Sequence, residues 1–137
     1  MATKVESQAR TRAFARVMGP WFVIVPGIIS WRMSGIDALA AEFFKSPLFE
    51  WFAGALLVFG GLLIIALHQY WSSAAAVLIS LLGWMLALRG VTLMAVPQLY
   101  ERVGMALNPL VVRGIFGALI VAGLYLTYVG WVAKRAS

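Results

Sequence analysis

SLLGWMLALRGVTLMAVPQ, residues 80–98, is the stretch on which the reading of this chain turns. Up to Val96 it is apolar or glycine except for Ser80, Thr92 and one charge, Arg89. Such a run belongs inside a bilayer, and the arginine is either a working group or an anchor reaching for water. The rest of the chain supports the membrane reading. Of its 137 residues, 63% are hydrophobic and 12% charged. A soluble domain carries about 25% charge and 45–50% apolar residues.

Three further apolar runs flank this one. They place transmembrane helices over about 17–33, 47–69, 73–96 and 109–133. A span needs about 20 apolar residues to cross a hydrocarbon core of about 30 Å. The first run is the shortest and contains Pro20 and Pro26, which predicts a kink near Pro26 in a span or in a partly re-entrant segment. A cleaved signal peptide ending at Ala38–Ala40 is the rival reading; the segment is instead expected to be retained. The expected fold is therefore an all-α integral membrane protein: one domain of four transmembrane helices, a four-helix bundle.

Local signals mark the ends of these helices. Ser46-Pro47 and Asn108-Pro109 each offer an N-cap followed by a first-turn proline, and Ser72 and Ser73 stand ready to cap the third span. Only HQYWSS separates the second span from the third, which predicts a tight hairpin. Residues 35–45 put Ile36, Leu39, Ala40 and Phe43 on one helical face, with Ser34 and Asp37 as a capping box. That is the pattern of an amphipathic helix lying in the interface, and PQLYERVGMAL, from Pro97, is a weaker one. Residues 1–16 read as a separate basic segment at the membrane surface.

Charge sets the expected orientation. The N-terminal segment carries Lys4, Arg10, Arg12 and Arg16, and the C-terminus carries Lys134 and Arg135. Four spans put both ends on one side, and basic flanks put that side in the cytoplasm of a bacterial-type inner membrane. The net charge of +6 thus reflects topology, and no nucleic-acid partner is expected.

The polar residues narrow the chemistry. Counting from Ser73, Arg89 is about 24 Å along its helix, within snorkelling reach of the far boundary. It is expected to form a structural ion pair with Glu50 or Glu101, or to contact an anion or lipid headgroup beside Arg32 and Arg113. His68 is the one histidine, placed by the hairpin turn. Counting levels from that turn puts it about 20–25 Å from Arg89 and Ser80 about 10 Å deeper, which rules out a Ser80–His68 nucleophile pair. His68 is expected at an interface; ligation of a pigment between two copies is the lesser alternative. Glu6, Asp37, Glu42, Glu50 and Glu101 all fall outside mid-span, there is no cysteine, and no catalytic or metal spacing is found. No enzyme activity, metal or cofactor is expected.

Small residues supply the positive signal. Gly54, Gly61 and His68 recur every seven residues on the second span, as do Ala76, Gly83 and Gly90, with Ala87 alongside, on the third. Gly123 and Gly130 repeat that spacing on the fourth, where Ala118 and Ala122 form a small-xxx-small pair. Such stripes let helix backbones approach in lipid, within the chain or between chains. The leading expectation is a non-catalytic module, a homo-oligomer or an accessory subunit beside other membrane subunits. A small oligomeric channel or transporter for an anion or small solute is the alternative.

Overall fold

In the computed structural model, residues 3–133 are described, and they contain helices and no strands. Six helices follow in order: α1 (Lys4–Trp31), α2 (Ile36–Phe44), α3 (Pro47–Leu67), α4 (Ala74–Ala95), α5 (Pro97–Ala106) and α6 (Pro109–Thr127). A 3-10 turn (Met33–Gly35) precedes α2, and a π-helical turn (Tyr128–Val132) extends α6. Four of these are long and apolar enough to cross a membrane: α1, α3, α4 and α6 with its π turn. That architecture is the one a membrane protein requires.

The basic segment and the first span are one helix. α1 runs as a single helix from Lys4 through Pro20 and Pro26 to Trp31, where the sequence suggested a surface segment separate from the first span. Thr3 opens it by accepting the Glu6 N–H at 3.2 Å. Ser73 and Asn108 cap α4 and α6, accepting from Ala76 N at 3.2 Å and Leu110 N at 2.9 Å. Two expected caps differ. Ser46 occupies the N-cap of α3, but its side chain makes no capping bond. The Ser34–Asp37 capping box does not form, because the Gly35 N–H bonds the Arg32 carbonyl in a 3-10 turn. That turn absorbs Ser34 and leaves Gly35 as the cap of α2.

The helices form two pairs: α3 packs along α4, and α1 along α6 and its π turn. The pairs meet chiefly where α1 touches α4. There a common core gathers Ala15, Met18 and Phe22 of α1, Ile64 of α3, Ile79 and Leu82 of α4 and Leu126 of α6. The α3–α4 contact is drawn close by glycine. A Cβ on Gly61 would lie 2.7 Å from the Ala87 Cα, and one on Gly90 would lie 2.6 Å from the Gly54 carbonyl oxygen. Side chains at those positions would force the backbones apart.

Candidate functional site

The richest polar cluster lies at the end of the bundle where α1 begins and α3 and α6 finish. One face of α1 carries Ser7, Thr11, Ala15, Met18 and Phe22, spaced by three or four residues and all buried. Its polar half meets the chain joining α3 to α4. Ser7 Oγ is 3.3 Å from Ser72 Oγ, and Thr11 Oγ1 is 2.9 Å from His68 Nε2. The other ring nitrogen, Nδ1, lies 3.1 Å from Ser80 Oγ. His68 is 0% and Ser80 2% exposed.

This contact overturns the expectation that Ser80 sits too deep for His68. Counting from the turn assumes that α3 and α4 meet the connection at one level. They do not: α3 stops at Leu67, while the chain runs on through six residues before α4 starts at Ala74. The second turn of α4 therefore lies beside the end of α3. The offset between His68 and Arg89 shrinks accordingly, to nine residues of α4, about 14 Å by helical rise.

Proton accounting identifies what the cluster does. The Ser80 hydroxyl has one proton, and its shortest acceptor is the Tyr70 carbonyl at 2.9 Å. Nδ1–H of His68 then donates to Ser80 Oγ, and Nε2 accepts from the Thr11 hydroxyl. In that arrangement His68 cannot take the Ser80 proton, as a general base must. Both ring nitrogens are engaged, so a pigment or metal would have to displace Thr11 or Ser80. Phe14 and Tyr70 enclose the ring edge-on, at 5.5 and 5.2 Å. Burial lowers the His68 pKa, offset in part by its bond to its own backbone. Burial favours the neutral ring, and its two side-chain contacts tie α1 to the α3–α4 connection.

Arginines complete this end. Arg10 Nη1 donates to the Leu67 carbonyl at 3.2 Å, at the C-terminus of α3. Arg12 and Arg16 both donate through Nε to the Gly130 carbonyl in the π turn, at 3.1 and 2.9 Å. The last carbonyls of a helix have no partner within it, and cations are favoured there. Close approach needs glycine at 130, since a Cβ would lie 2.7 Å from the Arg16 nitrogen. Trp131 Nε1 donates to the Arg16 carbonyl at 3.2 Å. That carbonyl is the one Pro20, lacking an N–H, leaves unbonded four residues on. Arg16 also stacks 5.4 Å over the Trp131 ring.

At the opposite end Lys45 pairs with Glu42 at 3.0 Å, but the arginines form no ion pair among the described residues. Arg32, Arg89 and Arg113 are exposed, and Arg89 lies 5.9 Å from the Tyr100 ring. Glu50 is buried in the first turn of α3 on the face of Gly54, toward α4. The Gly54–Gly90 contact places Glu50 about 7–8 Å along the axis from Arg89, which points elsewhere. No Glu50–Arg89 ion pair occurs among the described residues. Nor do the described residues hold any group of three or more histidine, cysteine or acidic side chains placed to bind a metal.

The small residues divide between packed and open positions. Gly54 faces Met94, Gly83 faces Ile64, and Gly123 lies against Phe22 and the Gly19 carbonyl. Ala87 is buried against Gly61, Ala122 is half-buried, and Ala118 is exposed. No protein family, curated protein or solved structure matches this chain. Sequence reasoning passed over the Thr3-x-x-Glu6 cap and the arginine bonds to helix ends. The cap had a local signal. The arginine bonds join residues 57 to 118 apart, with no spacing to reveal them.

Proposed function

We propose that this chain is a non-catalytic, multi-pass module of a bacterial-type inner membrane, with both termini cytoplasmic. It works as a homo-oligomer or as an accessory subunit of a larger membrane complex. The α3–α4 hairpin is its rigid half, and α2 and α5 lie in the far interface. Lys134 and Arg135, which share in the charge argument for orientation, fall outside the described residues.

The observation carrying this reading is the free face of α6. An ideal Cβ on Gly114 or Gly117 would have nothing within 4 Å, and Ala118 beside them is exposed. On the same helix Gly123 and Gly130 are packed against α1. Small residues on an open face give another transmembrane helix room for close approach. Native mass measurement after mild detergent extraction tests it. The expected result is an oligomer or a stoichiometric partner complex, which Gly114→Leu or Ala118→Leu weakens while the helical content holds. A monomer with no partner defeats the reading.

The channel alternative draws support from the exposed Arg32, Arg89 and Arg113 at the far end. A homo-oligomer that moves anions in liposomes, and loses that flux on Arg89→Ala, would favour it.

A further inference from the structure

Between α1 and α3 a lateral groove of about 820 Å³ runs down the bundle. Phe14 and Trp21 form one wall, Leu56, Gly60 and Leu63 the other, and Leu86 of α4 lies at its floor. Its volume falls within the range of about 300–1,000 Å³ usual for ligand sites. Along α3 the lining extends from Ala53 to Leu67, and along α1 from Ala13 to Phe22. Those stretches are about 21 and 14 Å by helical rise. One leaflet of a hydrocarbon core about 30 Å thick is about 15 Å deep. The groove is thus one leaflet deep, and it ends at Leu67, whose carbonyl holds Arg10. Arg10 stands at that end, in a segment that carries Lys4, Arg10, Arg12 and Arg16 against one acid, Glu6.

From this we infer that the groove is a binding site for an anionic phospholipid, its acyl chain between α1 and α3 and its phosphate at Arg10. The inference rests on the membrane-module reading with the basic end at the anionic leaflet. Arg10 is engaged with Glu6 at 3.0 Å, but both side chains are about half exposed, at 45% and 46%. Such a surface pair is weak, and a phosphate offers Arg10 a bidentate partner. Apolar length matched to a leaflet supplies the chain site, and charge supplies the preference between headgroups.

Gly60 makes the groove testable. Its ideal Cβ has nothing within 4 Å, so a side chain at Gly60 has room to enter the groove, whereas the adjacent Gly61 is packed on Ala87. The delipidated, full-length protein in mild detergent is titrated with phosphatidylglycerol, phosphatidylcholine or glycerol phosphate. Bound lipid is counted by native mass measurement. Phosphatidylglycerol is expected to bind in preference to phosphatidylcholine. Gly60→Leu should lower its affinity about tenfold or more, since displacing two methylenes suffices for that. Arg10→Gln should reduce the preference for the anionic lipid about fivefold and leave chain binding in place. Lipid retention unchanged in folded Gly60→Leu overturns the site, as does equal binding of the two lipids. Glycerol phosphate binding as well as the whole lipid would reduce it to a headgroup contact and overturn it. So would Gly60→Leu releasing a second copy or a partner helix instead of lipid. Should Gly60→Leu fail to fold, Gly60→Val and the Arg10→Gln arm decide. The same spectra report subunit number, so a failed module shows as a partnerless monomer and a failed lipid site as a bare chain.

Discussion

The two ends of the bundle both carry charged side chains and use them differently. At the end where α1 begins, Arg10, Arg12 and Arg16 reach backbone carbonyls on other helices, across 57 to 118 residues of chain. At the far end, Lys45 pairs with Glu42 three residues away, and Tyr100 bonds Thr92 eight residues away. The first set of bonds fixes how helices distant in sequence sit against one another; the second holds the end of α2 and joins α4 to the α5 that directly follows it. Polar groups in a bilayer protein therefore contribute according to what they join more than how many there are.

Mutations sharpen that contrast, and the largest effect is expected at the buried histidine. His68→Ala leaves the Thr11 hydroxyl without its partner and opens a cavity between Phe14 and Tyr70. A loss of about 3 kcal/mol is expected from those two penalties together. Denaturation in mild detergent followed by circular dichroism measures it. Thr11→Val should reproduce part of the loss, and tolerance of both changes would dissolve the knot as a structural element.

Arg16→Ala comes next. It removes one bond to Gly130 and the stacking on Trp131, worth about 1 kcal/mol. The same assay should show the double change Arg12→Ala/Arg16→Ala exceeding either single one, because the pair shares a single acceptor. Equal single and double losses would mean that neither arginine's bond holds without the other.

Acid provides a milder test. The His68 pKa is lowered from 6.5 by burial. Below that value the unfolded ring binds a proton that the folded ring resists, so stability falls as pH drops from 6.5 toward the depressed folded value. The melting temperature should decline over that window in the wild type and stay flatter in His68→Ala. At the far end Arg89→Ala should change stability by no more than about 0.5 kcal/mol, as exposed substitutions do. A larger loss there would erase the difference between the ends.

Much of the architecture was legible because apolar length speaks for itself. α3, α4 and α6 coincide with runs no soluble helix would carry, and prolines at 47 and 109 mark two of their starts. What escaped was relative position. The six residues after Leu67 say how far the chain can travel, not that α4 starts a turn or two below the end of α3, and so Ser80 met His68 unforeseen. The α1–α6 pairing escaped for a similar reason: hydrophobic periodicity shows that a face is buried without naming what covers it. At the basic end, the first sixteen residues looked like a surface segment because charges at Lys4, Glu6, Arg10, Arg12 and Arg16 interrupt their apolar residues. The partners those charges find are carbonyls, which every residue has and no sequence pattern displays.

The bonds from α1 to Gly130 and Trp131 also set an order of events. A chain made from its N-terminus makes α1 well before the π turn. The α3–α4 pair needs only its short connection to close, so it can assemble while synthesis continues. α1 must wait through more than a hundred residues for the carbonyl that holds Arg12 and Arg16 and for the indole that satisfies the Arg16 carbonyl freed by Pro20. Contacts so distant in sequence are slower to close than local ones. Until the Gly130 and Trp131 contacts close, α1 is held by its polar contacts with Leu67, His68 and Ser72 alone.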